Sequence, residues 1–454
     1  MKKIYFLLLL FLPLFSQGQC FDKFSGGLVH SLAIKDDGSL WAWGANFFGA
    51  LGDSSLPIKV PIPHQITSDY DWKKVSSGKS HSLAIKDNGT LWSWGGGANG
   101  RLGNGQNSNV NQPTQVGMDT DWLDLSGGFN HSLAIKSDGT LWSWGENSFG
   151  ELGVNSQGAD VLVPVQVGTQ TDWAQIEAAV SFSLGIKQDG TLWSWGLNDK
   201  GQLGHGSWFD ASIPTQVGNG TNWVEVEAGH THAIARQQNG TVWVWGYNIK
   251  GQLGDGSTYP KSSPIQLGTN SNWTDVTAGD RSSAAVNSSG ELYLWGNNNY
   301  SQLGNDSVNI FYLPQKLQLS AIFTEVNLGY VHVLAQSDNE SLWSWGFNSS
   351  GQTGCNYLST ELSVPFEHFC APLSIKNQKE QLNIRLYPNP VMNTLFLEDH
   401  RAFKQALVYD LQGRLISQTE NSSQIDVSTL TAGNYIVQFR LDDEQLVRSR
   451  FVKE

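Results

Sequence analysis

The sequence predicts an all-β protein: a seven-bladed β-propeller followed by a small C-terminal β-sandwich. Three observations lead there. The 454 residues include 49 Gly and 19 Trp but only 15 % charged side chains, a composition suited to turns and packed cores rather than to helical bundles or disorder. A W-x-W-G string, with Tyr293 for the first Trp in the sixth copy, recurs with its second Trp at 43, 94, 144, 195, 245, 295 and 345, and a fixed period of this size marks a repeat architecture. Within each copy, runs of four to six alternating or β-branched residues are bounded by Gly, Asn, Asp or Pro, the pattern of four short strands.

The first segment is an address. Met1-Lys2-Lys3 is basic, Ile4–Phe15 is apolar, and Ser16-Gln17-Gly18 supplies small residues before a cut between Gly18 and Gln19. Residues 1–18 therefore read as a secretory signal peptide. A lipoprotein signal ending at Cys20 would need an apolar residue three places earlier and a small one just before it, where Gln17 and Gln19 stand. The mature chain is expected to leave through the periplasm. Residues 19–374 carry 16 basic against 31 acidic side chains, a surface that phosphate repels, so nucleic acid and anionic membranes are excluded as partners.

Residues 19–371 hold the seven copies. The third copy runs D121-W122-L123-D124-L125-S126-G127-G128, H131-S132-L133-A134-I135-K136, D138-G139-T140-L141-W142-S143-W144-G145, G150-E151-L152-G153 and P164-V165-Q166-V167. The dipeptides Asp37-Gly38, Asn88-Gly89, Asp138-Gly139, Asp189-Gly190 and Asn239-Gly240 predict two-residue hairpins with positive φ at both turn positions. Ser289-Gly290 is a weaker version, and Asn339-Glu340 departs from it. Eighteen Trp occupy repeat-frame positions as wedge-filling core, and Trp208 alone falls outside the frame.

H-S-L-A-I-K-x-D-G-T-L-W-S-W-G-x-N-x-x-G-Q-L-G resembles the repeat of the regulator of chromosome condensation family, a seven-bladed propeller, over residues 21–369. The activities known in that family do not transfer. Guanine-nucleotide exchange on a nuclear GTPase does not suit an exported acidic protein. Ultraviolet sensing in the related plant photoreceptor uses Trp in a G-W-R-H-T frame, where this chain has Leu28, Lys79, Phe129, Val180, His230, Asp280 and Tyr330. A secreted bacterial propeller that inhibits β-lactamase through its loop face is the more relevant relative, and it implies a protein-binding platform.

Residues 372–381 read as a polar linker. Residues 382–454 lack Trp and contain strand-like runs consistent with a small sandwich. The strings Y387-P388-N389-P390, V408-Y409-D410-L411-Q412-G413-R414 and L430-T431-A432-G433-N434-Y435-I436-V437 resemble the type A C-terminal sorting domain of the type IX secretion system. The resemblance implies that residues 382–454 engage that machinery in a Gram-negative bacterium. The module would then direct passage to the cell surface or medium and be removed or exchanged for an anchor.

Chemistry-bearing residues are sparse. His30, His81, His131, His232 and His332 share one frame position, with Phe182 and Ser282 in the other two copies. A metal ring would need its nitrogens within ~2.1 Å of one point, so these histidines are expected to bond backbone within their own blades. The G-x-L-G loops lack the Lys-Ser/Thr of a phosphate cradle. Asp53, Asn104, Asp255 and Asn305 show no regular calcium-loop spacing, and no nucleophile or paired-carboxylate motif appears.

The expected function is a monomeric, non-enzymatic, cofactor-free binding propeller for an extracellular protein or glycan. A secreted hydrolase or lyase with its site in non-repeating loops is the alternative. Trp208 and Phe209 are the candidate ligand contacts, either as an exposed platform or as local packing over the blade edge. Cys20 and Cys370 fall near one another in the repeat frame, so a disulfide closing the ring is expected; Cys355–Cys370 is the rival pairing. The ring is expected to close by pairing strand material from both ends of the chain.

Overall fold

The computed structural model describes residues 20–305, 309–356, 358–368, 386–397, 402–410, 415–440 and 446–454. The signal peptide with its Gly18–Gln19 cut, Cys370 and the linker 372–381 lie outside them. The chain divides near residue 373 into two compact units. Among the described residues, the first holds seven four-stranded antiparallel sheets, spanning Phe21–Gln65, Trp72–Gln115, Trp122–Gln166, Trp173–Gln216, Trp223–Gln266, Trp273–Lys316 and Phe323–His368. The first strand of every sheet touches the first strands of the sheets on either side, so these strands line the axis of a ring of blades.

The third blade shows why the repeat reads as it does. Its strands are Trp122–Gly127, His131–Lys136, Leu141–Gly145 and Val161–Gln166, from axis to rim. The hairpin between the second and third strands differs from the sequence expectation. The Lys136 N–H donates to the Thr140 carbonyl at 3.0 Å and the Gly139 N–H to the Lys136 carbonyl at 2.8 Å, so the loop has three residues. Only Gly139 is left-handed, at φ 79°, as in a type I turn closed by a glycine bulge. The Asp earns its place through its side chain: Thr140 N–H and Oγ1 both donate to Asp138 Oδ1, and Trp142 Nε1 donates to Thr140 Oγ1. In the seventh blade Glu340 occupies the glycine position at φ 65°.

Beneath each hairpin of blades two to four a lysine is trapped. Lys136 Nζ lies 4.8 and 4.7 Å from the rings of Trp122 and Trp142 and pairs with Asp119 and Asp121 at 2.7 and 3.1 Å. Lys86 with Asp69 and Asp71, and Lys187 with Asp172, repeat the arrangement. Where the lysine is replaced the acid changes too: Gln237 goes with Asn222 and Asn287 with Asn272. A buried cation without its carboxylate is costly.

Neighbouring blades are latched by side chains. In all seven seams the second Trp of the W-x-W-G string donates its indole N–H to a loop carbonyl of the preceding blade, for example Trp144 to Arg101 O at 2.9 Å. The frame histidines are fully buried, but their partners correct the expectation. Each Nε2 meets a serine of the next blade: His30 with Ser82, His81 with Ser132, His131 with Ser183, His232 with Ser283 and His332 with Ser31, at 2.8–3.1 Å. Those serine hydroxyls donate to loop carbonyls, so the histidines donate to Ser Oγ and the protonated nitrogen is Nε2. Among the described residues, the five Nδ1 atoms make no hydrogen bond, so the expected backbone bond inside the blade is not formed.

Ring closure also differs from the expectation. Every sheet of the first unit uses four consecutive strands, and no strand of the described residues pairs with one from the other end of that unit. The seventh blade packs on the first through the same latches as elsewhere. In the C-terminal unit, strands Leu386–Tyr387, Thr394–Leu397 and Gln424–Asp426 form one sheet; Phe403–Asp410, Leu415–Ser422, Gly433–Arg440 and Leu446–Lys453 form a second. Leu395, Ile425, Val408, Val437, Phe439 and Phe451 from both sheets share one apolar core, which makes the module a sandwich.

Candidate functional site

The inner strands leave a cavity of about 330 Å³ along the axis. Two rings of clasps join the inner strands around it. Ser25, Ser76, Ser126, Thr277 and Asn327 each accept the backbone N–H of the next blade's inner strand, at 2.8–3.1 Å. One turn of the pleat away, Gln175, Glu225 and Asp275 accept from Val226, Val276 and Val326. Glu177 and Glu227 stand in the first ring and face the cavity. Burial holds both carboxyls above the usual range, reinforced at Glu227 by the neighbouring carboxylates. This acidic lining was not anticipated from sequence, because the inner strands read simply as half-buried.

At one end of the cavity the loops after the inner strands form a rim of Leu28, Lys79, Phe129, Val180, His230 and Tyr330, with Asp280 between the last two. His230 Nδ1 lies 2.8 Å from Asp280 Oδ1 and 2.9 Å from Tyr330 Oη. Burial and that carboxylate push the Tyr330 phenol up. Across the rim, Lys79 Nζ sits 3.8 Å above the Phe129 ring, and burial and the Arg101 guanidinium hold its ammonium below the ordinary lysine range. Arg101 is fixed by Phe129 O and Asn130 Oδ1.

The loops joining third and outer strands surround this rim, because their first residues bond to the rim loops, as Glu146 N–H does to Asn130 O and Tyr247 N–H to Thr231 O. They carry the exposed aromatics Phe47, Phe48, Phe149, Trp208, Phe209, Tyr259 and Tyr300. The opposite face carries the hairpins and the Asp-rich connections, with Tyr70 exposed in the first of these connections. Trp208 is 47 % and Phe209 82 % exposed. The Trp208 ring lies against Gly201 of its own loop, and Asn198 Nδ2 anchors the Ser207 and Phe209 carbonyls at 3.0 Å each. The loop is thus braced while the two rings face solvent.

Other candidates from sequence resolve differently. Asp53 caps Ser55 and Asp255 caps Ser257 while pairing with Lys261, so these acids organise their own loops. Cys20 is buried at the start of the first blade; its proposed partner Cys370 is outside the described residues. Cys20, Asp36 and Glu340 bring three donor groups within 4.8 Å of one another, with Asp36 accepting the Cys20 amide at 3.4 Å.

A closed ring of Trp-latched blades whose G-x-L-G loops crowd one face defines a repeat propeller. Residues 11–267 and 118–372 match the RCC1-like domain, and the chain belongs to that family. Residues 385–454 match the secretion system C-terminal sorting domain, which marks the protein for type IX export to the cell surface or extracellular space. The chain is 36 % identical over 97 residues to the ultraviolet-B receptor UVR8 of Arabidopsis thaliana, covering 20 % of this chain and 21 % of the receptor. It is 31 % identical over 189 residues to the human E3 ubiquitin-protein ligase HERC2, covering 40 % of this chain and 4 % of the ligase. Only a small part of each of these relatives is therefore spanned. Human WBSCR16 superposes with a TM-score of 0.65 at 22 % identity, over 72 % of this chain and 92 % of that one. Yeast RCC1 (Prp20), solved with Kap60, gives 0.66 at 20 % identity over 75 % and 84 %. Both show the shared fold.

Proposed function

We propose that the exported propeller is a non-enzymatic binding protein that captures an extracellular protein or glycan on its aromatic loop face, with Trp208 and Phe209 as contacts, while residues 382–454 engage the type IX machinery. The observation that carries the reading is the concentration of seven exposed aromatics on the loop face around the channel rim, against Tyr70 in the connections of the opposite face. Monomeric soluble proteins rarely expose large contiguous apolar patches without a partner, and rigid aromatic side chains bury much area at small entropic cost. Yeast RCC1, which shares the fold, was solved bound to Kap60, a precedent for a scaffold that holds a protein partner.

The test is capture on immobilised mature propeller from extracellular material and a glycan array, comparing wild type with Trp208→Ala/Phe209→Ala. Specific ligands lost in the double variant at unchanged thermal stability support the reading. Loss of stability with retained binding assigns Trp208 to packing. Turnover of a captured glycan or peptide would favour a hydrolase or lyase instead.

A further inference from the structure

Six of the seven seams are crossed by the polypeptide, which runs from the outer strand of one blade to the inner strand of the next. The seam between the seventh and first blades is not, and its composition departs from the others. In blades one to six the G-x-L-G leucine (Leu51, Leu102, Leu152, Leu203, Leu253, Leu303) is fully or nearly fully buried; the seventh blade has Thr353 there, also fully buried. A Cβ placed on Gly153 or Gly204 would meet the next blade's Trp and Val167 or Val217, whereas one on Gly354 would meet Trp43 and His368. His368 thus takes the place of an aliphatic residue, with Nε2 donating toward Ser344 Oγ at 2.7 Å and Thr353 O at 2.9 Å. Phe21 stands where five other blades have Trp.

Among the described residues, the buried apolar group at this seam is Phe21, Phe24, Ala33, Trp43, Leu334 and Leu342. The other seams hold eight to twelve such residues, up to Phe182, Trp223, Trp245 and their neighbours between blades four and five. The bonds from Trp43 Nε1 to Gln352 O, Gly26 N–H to Asn327 Oδ1, Tyr330 N–H to Gly27 O and Asn356 N–H to Pro61 O have counterparts at other seams; the bonds particular to this one are polar, Gln336 Nε2 to Phe21 O and Lys59 Nζ to Ser349 O, at 2.9 and 2.8 Å. On opening, hydrogen bonds are exchanged for bonds to water at small net cost, whereas exposed apolar area is not compensated.

We infer that, with its thiols reduced, the propeller has a reversible clasp between its seventh and first blades, through which the ring opens locally while the other six seams stay packed as an arc. The clasp frees the two ends of the propeller, the second of which continues toward the sorting module, without unfolding any blade.

Amide hydrogen exchange on the full chain, kept under thiol reductant so that contacts alone hold the seam, tests this through matched positions. Gly26 and Gly127 N–H both cross a seam to a side chain of the preceding blade, and Tyr330 and Phe129 N–H both cross one to a backbone carbonyl of the next. Gly26 and Tyr330 are expected to exchange at least about tenfold faster than their counterparts, with little dependence on denaturant, as local opening requires. Thr353→Leu/His368→Val, which restores the aliphatic pattern, is expected to remove most of that difference. Equal protection at the matched positions in the unmodified protein would overturn the inference whether or not the variant folds.

Discussion

Ser283→Ala is expected to destabilise the propeller by far more than a surface serine, and His232→Phe on top of it to restore most of the loss. Ser283 Oγ accepts from His232 Nε2 at 2.8 Å and donates to Gln252 O at 2.8 Å; that carbonyl also receives Trp295 Nε1 at 3.0 Å. Removing the hydroxyl leaves a fully buried imidazole N–H with no acceptor, a cost of about 1–3 kcal/mol, while Gln252 O keeps its indole. His232→Phe alone removes the donor and leaves Ser283 bonded to Gln252 O, so about 1 kcal/mol or less is expected for a swap of similar shape. The double variant recreates the pair already present one seam earlier, Phe182 against Ala233, and should lie within about 1 kcal/mol of wild type. The coupling energy in the cycle is then about 1–2 kcal/mol. Urea unfolding followed by Trp fluorescence measures it cleanly, because all 19 Trp fall between residues 41 and 345 and the sandwich is silent. A double variant destabilised by the sum of the singles would refute the relay.

The same histidines predict acid sensitivity. Burial lowers His30 and His232 to about 4 and His131 and His332 to about 3, so the folded state refuses protons that the unfolded chain takes up below about 6.5. Their contribution is intact above that pH and is lost as pH falls toward 4, at about 1.4 kcal/mol per pH unit for each group. Glu177 and Glu227 act in the opposite sense, since their raised carboxyls favour the folded state as pH drops from alkaline values toward the ordinary carboxylate range. Urea midpoints across pH 7 to 4.5 should therefore fall less steeply for His232→Phe/Ser283→Ala than for wild type, by about one proton; parallel curves would contradict this. Non-reducing peptide mapping of exported protein should recover a Cys20–Cys370 peptide, and a Cys355–Cys370 peptide or three free thiols would refute the pairing. Deleting residues 382–454 should leave a folded propeller in the periplasm, and normal delivery of the truncated protein would refute the sorting assignment.

Much of the architecture was legible because the repeat states it seven times. The W-x-W-G period places the blades, and the D-G-T-x-W string encodes a side-chain ladder that also sets the hairpin. The turn geometry was misread because Asp138 acts through its carboxylate rather than through a left-handed backbone. The histidines were taken as structural, yet their partners were sought in the backbone of their own blades. The partners are serines of the next blade instead, as His131 bonds Ser183. The clue lay about fifty residues away, where Phe182 and Ser282 are followed in the next copies by Ala233 and Val333. The acidic lining of the axis was hidden because single inner-strand residues such as Glu177 and Glu227 converge only when the ring closes. Trp208 was visible as the off-frame aromatic, and its exposure follows from a loop braced at Asn198.

The histidine–serine relay also gives the copies a grammar. Copies one to three carry both the His that faces forward and the Ser that faces back. A tandem duplication of any of them inserts a boundary that is already complementary. Excising the fourth copy would instead set His131 against Ala233 and strand an imidazole, whereas excising the fourth and fifth together would bring His131 to Ser283 and heal the junction. Growth or shrinkage of such a gene is therefore constrained by adjacency: some units can be copied or lost in register, and others only together with a neighbour.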